Sequence, residues 1–415
     1  MLLCDEHENL LVDFGSDSNC NFIGIAQKIK AACNKKPLSI LITHFHEDHI
    51  NGFLAGALKV SKVYLPDILQ MRRYGGKLTF LQLQVLEDIF RCISLNKKLH
   101  ITLYDLLLKL CNDKSSIYFL ERGSNFIFSQ KVYQVLWPSF DNFTIHGRVM
   151  HRTLKDLVKL NVLPRSVLGE KGSGRDIPQE EFSTNTFSNL EGESALSRID
   201  LNEIDNFIDA LLSGYYLAKN QQWDPLNGDL GTLKDKFERL NEYIYNLKDP
   251  SGRPVLNDSL RKELGELSAS MRKQANKISI VFQDLPNNGA SAILMTGDIP
   301  PKELNKVVTA AISSKPEMAH HYTVIEAPHH GTDTYFTPLL PSCDAILISN
   351  GVPSKAHRNW GKISYNYGAF YGSHKRCSIL CTNRRCELVD LKDVEKCQNC
   401  TKNTLVARGI TVSVV

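Results

Sequence analysis

An apolar run leads into a cluster of three histidines and an aspartate in Ser39-Ile40-Leu41-Ile42-Thr43-His44-Phe45-His46-Glu47-Asp48-His49. Such a continuous apolar run is typical of a strand buried on both faces. The loop after such a strand can direct His44, His46, Asp48 and His49 to one spot, and imidazole nitrogens and carboxylate oxygens are ligands that zinc and similar divalent ions prefer. The H-x-H-x-D-H spacing therefore predicts a metal site, and disfavours the alternative of a solvated histidine-rich loop.

Two later strand ends carry residues of the same kind. Met295-Thr296-Gly297-Asp298 follows an apolar run, and a site with two metals needs a carboxylate that can bridge them, which predicts this role for Asp298. Ala327-Pro328-His329-His330-Gly331-Thr332 follows another strand. We expect His329, ahead of His330, to point into the site, the alternative being that one histidine only binds a loop carbonyl.

His357 follows the strand end Ser349-Asn350-Gly351 and is a candidate ligand of the second metal. Taken alone, it would be an ordinary loop histidine.

The chain has 11 cysteines, an odd number, and the last four suggest a second metal site. Cys381 and Cys386 are separated by four residues, and Cys397 and Cys400 by two, which permits a structural zinc site with four thiolates. Free or buried cysteines are an equally good interpretation.

Length and composition restrict the class of protein. The chain has 415 residues, 42% hydrophobic and 23% charged, which is ordinary for a globular protein and excludes a wholly disordered one. Its net charge of +4 is too small to indicate a nucleic-acid partner by itself. No apolar run approaches the roughly 20 residues that span a bilayer, and the first residues do not form a signal peptide. We therefore expect a cytoplasmic protein without a membrane partner.

The hydrophobic pattern predicts an α/β protein in three segments. Residues 1–138 are expected to form the first half of the domain that carries the predicted metal site. Residues 139–275 form a mostly helical insertion with a mobile loop near 168–198, serving packing, oligomerisation or substrate contact. Residues 276–415 form the second half of the domain and end in the cysteine-rich segment.

These residues resemble the metallo-β-lactamase fold superfamily, in which an αββα sandwich holds two metal ions between two sheets. The resemblance is closest to the stand-alone hydrolase domain of the DNA-uptake competence protein ComEC, through Thr296-Gly297-Asp298, His329-His330-Gly331-Thr332 and the block from Ser349 to His357. It covers roughly residues 9–138 and 276–365. Asp13 matches the early aspartate that supports the metal loop.

The resemblance implies a metal-dependent hydrolase with two divalent ions, Zn or Mn. His44 and His46 would hold the first metal, Asp48 and His49 the second, and Asp298 both, with a hydroxide between the metals as nucleophile. His329 or His330 would ligate or donate to a phosphate oxygen. Asp48, Asp298, His329 and His330 are thus the candidate catalytic residues. The implied substrate is a phosphodiester in a nucleic acid or nucleotide.

The sequence also departs from the pattern of these relatives. The usual third histidine of the first metal has no obvious match, and the candidates are His146, His151, Asn276 and His329. In the late block, His357 comes one residue early and Arg358 replaces proline.

The chain begins close to Asp13, so a first strand found in relatives is expected to be missing. A partner chain could cover the sheet edge that this would expose.

These departures leave a second hypothesis open. The chain would then be a ligand-sensing or scaffold module with a degenerate metal site, binding a protein partner through the helical insertion. As an enzyme, one setting that the resemblance suggests is a multi-protein bacterial defence system against foreign DNA.

Overall fold

The computed structural model describes residues 1–16, 20–69, 80–139, 201–246, 258–286, 289–311, 316, 318–332, 335–349, 377–381 and 404–406. The chain divides into two compact units. The first comprises Met1–Asp67, Ser115–Asp141 and Ala275–Val415, and the second Ile68–Lys114 and Asn142–Gln274. The structure thus groups residues 68–114 with the helical segment, whereas the sequence analysis placed them in the first half of the hydrolase domain.

Helices occur in both units. The first unit contains α1 (Phe22–Cys33), α2 (Glu47–Leu54) and, later in the chain, α8 (Pro301–Ala311). The second contains α3 (Phe80–Leu95), α4 (Thr102–Asp113), α5 (Leu201–Lys219), α6 (Trp223–Asn246) and α7 (Asp258–Ala275).

One sheet of the first unit has five strands in the order β1-β2-β3-β4-β5. They are β1 (Leu2–Cys4), β2 (Asn9–Val12), β3 (Leu38–Leu41), β4 (Lys62–Pro66) and β5 (Ser116–Leu120). Strands β2 to β5 are parallel, and β1 pairs antiparallel with β2. The expectation that no strand covers the edge beside Asp13 was therefore wrong, because the short run Leu2–Cys4 forms that strand.

The other sheet has eight strands in the order β13-β12-β11-β10-β9-β8-β7-β6. They are β6 (Asn125–Phe128), β7 (Lys131–Trp137), β8 (Val281–Asp284), β9 (Ala290–Met295), β10 (His321–Glu326), β11 (Ser342–Ile348), β12 (Ser378–Cys381) and β13 (Thr404–Val406). Strands β9 to β13 are parallel, and β6 to β9 pair antiparallel. Strands β8 and β9 are consecutive in the chain and form an antiparallel pair.

The two sheets of the first unit share one hydrophobic core. Leu10, Val12, Leu41 and Tyr64 come from the five-stranded sheet, and they cluster with buried residues of the eight-stranded one. The latter are Phe126, Phe128, Tyr133, Val135, Phe282 and Met295. Alternate side chains of each strand point to this core, since successive residues of a strand face opposite sides. The sheets are therefore packed face to face.

The polar clusters lie at the carboxyl ends of parallel strands. Strand β2 ends just before Asp13, β3 before the His44–His49 stretch, β9 before Asp298, and β10 before His329. Parallel neighbours end at the same edge of their sheet, so β2 with β3, and β9 with β10, each bring two clusters together.

The second unit is helical. The hydroxyl of Tyr215 on α5 donates to the carbonyl of Leu103 on α4 at 2.7 Å, and the rings of Tyr104 and Phe237 stack with centroids 4.3 Å apart. The segment 139–275 was predicted to be mostly helical, and its described residues form α5, α6 and α7. The loop predicted near 168–198 lies outside the described residues.

The prediction of an α/β fold is confirmed by two mixed sheets accompanied by helices. None of the helices in the described part of the chain is both long and apolar enough to cross a membrane.

Candidate metal centre

Buried and half-buried histidines and aspartates from four segments of the first unit converge at the strand ends. His44, His49 and Asp298 each place one ligand atom within 4.8 Å of those of the other two. Asp48, His49 and His330 form a second such group, so His49 belongs to both. Either group could hold a metal ion. The structure thus brings together the candidate ligands from three separate strand ends.

Asp298 is the centre of the arrangement. Its Oδ2 atom lies 3.3 Å from Nε2 of His49, 3.5 Å from Nε2 of His329 and 3.9 Å from Nε2 of His44. Its Oδ1 atom lies 3.8 Å from Nε2 of His330. The side chain is only 3% exposed. The two oxygens of this one carboxylate therefore face different histidines.

Asp13 organises the loop that carries the first histidines. Its two carboxylate oxygens accept hydrogen bonds from the backbone N–H and the hydroxyl of Thr43, at 2.8 and 2.7 Å. The Oδ2 atom also lies 2.8 Å from Nδ1 of His49. The hydroxyl of Thr43 is in turn 3.1 Å from Nδ1 of His44. Asp13 thus fixes the loop that carries His44 and His49, which is the position that the resemblance assigns to it.

His46 immediately precedes α2 and is buried beside His44, with ring centroids 4.5 Å apart. It belongs to neither ligand group among the described residues. The structure therefore pairs His44 with His49 and Asp298, whereas the sequence analysis paired His44 with His46.

Two glycines permit close contact between the loops that carry the candidate ligands. A Cβ atom on Gly15 would lie 2.5 Å from the carbonyl oxygen of Glu47 and 2.6 Å from the backbone nitrogen of His49. Gly297 has φ = 51° and would place a Cβ atom 3.1 Å from Thr43. Only glycine has no Cβ and adopts positive φ without strain, so both positions need it.

His329 and His330 both have left-handed backbone conformations, with φ of 49° and 58°. Nδ1 of His329 lies 2.9 Å from the hydroxyl of Thr332, and Nδ1 of His330 lies 3.1 Å from the carbonyl oxygen of Ser349. With Nδ1 engaged in each ring, Nε2 is the atom that faces the aspartates.

The electrostatics of the site favour ionised carboxylates. Burial alone would raise the pKa of Asp298, but His49, His330 and His329 beside it hold that pKa well below its ordinary value. Burial acts in the same way on Asp48, whose pKa is nevertheless lowered by His330 and His49. Two negative charges are therefore maintained in a buried place, which is the environment that attracts a cation.

The histidines respond to these charges in opposite ways. Burial lowers the pKa of His44 well below its ordinary value, with His49 and His46 adding to the effect. Burial also opposes protonation of His330, but Asp298 and Asp48 outweigh it and raise its pKa to about 9. The pKa of His49 is raised by Asp298 and Asp13, against burial. The neighbouring carboxylates thus favour the protonated forms of these two rings.

Buried ligand atoms without a hydrogen bond are a further sign that the donor set fits a metal ion. Nε2 of His44, Nε2 of His49 and Oδ1 of Asp48 are buried, and none of them makes a hydrogen bond of good geometry within the described part of the chain. Buried polar atoms are nearly always paired, because leaving one unpaired costs about 1–3 kcal/mol. Cations held by the two ligand groups would satisfy these atoms.

Several candidates lie outside the described residues: His146, His151, His357, Cys386, Cys397 and Cys400. Cys381 ends strand β12. The structural zinc site and the ligand role of His357 stay predictions.

Two residues beside the site make a contact that the sequence did not predict. Tyr335 stacks on His329 with ring centroids 3.9 Å apart and an interplanar angle of 10°. Asn276, considered only as a ligand, donates from Nδ2 to the hydroxyl of Tyr335 at 2.9 Å. No local pattern could reveal this contact, because the two residues are 59 positions apart.

No family model, curated protein or solved structure matches this chain.

Proposed function

We propose that the chain is a metal-dependent phosphodiesterase or nuclease, built on the αββα arrangement of the metallo-β-lactamase superfamily. One observation carries the proposal: four histidines have Nδ1 held by a protein atom while Nε2 faces the buried carboxylate of Asp298. Second partners of this kind are typical of histidines that bind metals, since they select the tautomer and the ring orientation.

We propose that this donor set holds two divalent ions, with the one free nitrogen of His49 binding one of them. The two ligand groups share His49 but otherwise use different residues, His44 with Asp298 and Asp48 with His330. Oδ2 of Asp298 faces His44 and His49, and its Oδ1 faces His330. This arrangement suits a carboxylate that would contact both cations. Nitrogen and oxygen donors are compatible with Zn and with Mn.

When bound, a pair of such ions lowers the pKa of a water molecule and neutralises the charge of a phosphoryl group. The residues of this chain do the rest. Asp48 and Asp298 supply the negative charge that retains the ions, Asp13 orients His49, and Thr43 orients His44. Burial of His44 and Asp298 excludes bulk water and strengthens each of these interactions.

The substrate class rests on the resemblance of the T-G-D and H-H-G-T segments to ComEC-type hydrolases. A phosphodiester in DNA or RNA is the first candidate, and a small cyclic nucleotide the second. A protein partner and a place in a bacterial defence system are proposals of the same origin.

The test uses chelator-treated protein reloaded with Mn²⁺ or Zn²⁺. It is incubated with single-stranded, double-stranded and circular DNA, RNA, cyclic nucleotides and bis(4-nitrophenyl) phosphate. Asp298→Asn keeps the shape of the side chain and removes its charge, so it should abolish hydrolysis in a folded protein. Asp344→Asn is the matched control, because its side chain is 66% exposed.

Metal-dependent hydrolysis that Asp298→Asn abolishes would support the proposal. Folded wild-type protein that binds metal and hydrolyses nothing in the panel would contradict it, and would favour a sensing or scaffold role.

A further inference from the structure

The adjacent histidines 329 and 330 are held in different surroundings. Nε2 of His330 faces two carboxylates, at 3.7 Å from Asp48 and 3.8 Å from Asp298, and His330 belongs to a ligand group. Nε2 of His329 lies 3.5 Å from Asp298, but His329 belongs to neither group among the described residues. The two rings therefore suit different tasks.

Both histidines of the pair can be reached from solvent. The side chains of His329 and His330 are 29% and 32% exposed, whereas those of His44 and His49 are 0% and 4% exposed. Accessibility therefore permits either ring to contact a substrate, and membership of a ligand group is what distinguishes the two.

Tyr335 and Thr332 fix the orientation of the His329 ring. The parallel stack with Tyr335 covers one face of the ring, and the hydroxyl of Thr332 engages Nδ1. The N–H of Tyr335 also donates to the carbonyl of Thr332 at 3.0 Å. Asn276 is only 4% exposed and anchors the far end of Tyr335 through its hydroxyl. The ring is thus held with its Nε2 edge toward Asp298.

We propose that His329 contacts a phosphoryl oxygen of the substrate, and that Tyr335, anchored by Asn276, is the residue that positions it. This inference rests on the proposed function and deepens it, because it divides the histidine pair into a metal ligand, His330, and a substrate-contacting residue, His329. Tyr335 acts only through the ring of His329.

The test compares four substitutions. His329→Asn and His330→Asn remove the imidazole and suit the left-handed backbone, which asparagine tolerates better than most residues. Tyr335→Leu removes the aromatic stack, and Tyr335→Phe keeps it while removing the hydroxyl. The double variant His329→Asn/Tyr335→Leu tests whether Tyr335 acts through His329.

Three quantities are measured: Mn²⁺ affinity of the chelator-treated protein, affinity of the Mn²⁺-loaded protein for inorganic phosphate, and turnover of bis(4-nitrophenyl) phosphate. His330→Asn should weaken Mn²⁺ binding, whereas the other single variants should not. His329→Asn should weaken phosphate binding and lower turnover about 100-fold, as for loss of a group that acts on the reacting atoms. Tyr335→Leu should lower turnover about tenfold, since a misplaced group loses much of its effect, and Tyr335→Phe about twofold at most.

In the His329→Asn background, Tyr335→Leu should have no further effect on phosphate binding or turnover. A full additional loss there would overturn the positioning role. Weakened Mn²⁺ binding in His329→Asn would show that His329 is a ligand instead. If no diester is hydrolysed, the proposed function fails, while Mn²⁺ and phosphate affinities still decide the division between His329 and His330.

Discussion

Asp13 and His49 lie 36 residues apart in the chain, and Oδ2 of Asp13 is 2.8 Å from Nδ1 of His49. The same carboxylate binds the backbone and the hydroxyl of Thr43. One side chain at the end of β2 therefore holds both ends of the loop that follows β3.

Asp13→Asn should weaken divalent metal binding by about 10- to 100-fold, because a ligand histidine loses the partner that orients it. Asparagine tolerates the left-handed backbone of this residue, φ = 54°, so the effect comes from the side chain. Titration of the chelator-treated protein with Zn²⁺ or Mn²⁺ measures it, with the exposed Asp344→Asn as control. Equal affinities of the two variants would contradict the role of Asp13.

Gly15→Ala should destabilise the first unit by about 1–3 kcal/mol, the usual cost of forcing an extra methyl into a packed place. The added carbon would overlap the backbone of Glu47 and His49, which cannot move without displacing the metal loop. Gly231→Ala on α6 is the control, because nothing lies within 4 Å of its Cβ position and alanine favours a helix. Thermal unfolding followed by circular dichroism compares the two. A Gly15→Ala protein as stable as the wild type, with unchanged metal affinity, would refute the close approach.

The positions of the candidate ligands at strand ends could be predicted from the sequence. Asp298 and the His44–His49 stretch directly follow apolar runs, so chain order alone places them at strand ends. The resemblance also indicated Asp13. The pairing of ligands could not be predicted, because the ring directions of His329 and His330 depend on two consecutive left-handed residues. The need for glycine at position 15 depends on a backbone contact across 30 residues or more, for which there is no local signal.

The helical segment shows the same limit on a larger scale. The periodicity indicates helices within residues 69–111 and again from residue 201. That α4 packs with α5 depends on contacts such as Tyr215 with Leu103, which are 112 residues apart. Periodicity shows which face of a helix is apolar, but it does not show which other helix packs against that face.

Metal affinity should increase with pH up to about 9. Asp298 and Asp48 raise the pKa of His330 to about 9 in the metal-free protein, so below that pH a metal must displace a proton from this ring. One displaced proton weakens the apparent affinity about tenfold for each pH unit below 9. The raised pKa of His49 adds to the effect in the same direction.

Calorimetric titration with Mn²⁺ in buffers of different ionisation enthalpy counts the protons released. We expect release at pH 7 in the wild type and less in His330→Asn. His321→Asn, a change at an exposed histidine of the same sheet, should leave the count unchanged. Metal binding at pH 7 without proton release would contradict this protonation state.

The last prediction concerns Asp88, a buried residue of α3 that is 2% exposed. Burial and, after it, the neighbouring Glu87 raise the pKa of Asp88 to about 8. Three neighbours oppose this rise. The backbone N–H of Thr102 donates to Oδ2 of Asp88 at 2.8 Å, and Arg91 and His100 attract the ionised carboxylate. Glu87 in turn accepts hydrogen bonds from Gln84 and, across from α7, from Ser268. Asp88 is therefore protonated in the folded protein at neutral pH.

The sign of the pH dependence follows from this state. Between pH 4 and 8 the folded protein holds a proton on Asp88 that the unfolded chain has released, so stability falls as pH rises through this range, by at most about 1.4 kcal/mol per unit. Asp88→Asn imitates the protonated carboxyl and still accepts from Thr102, so it should flatten the decline and be more stable than the wild type at pH 8. Asp229→Asn, an exposed change on α6, should keep the wild-type slope. Unfolding temperatures at pH 5.5, 7 and 8.5 measure the slopes, and a parallel decline in Asp88→Asn would show that this carboxyl is ionised in the folded state.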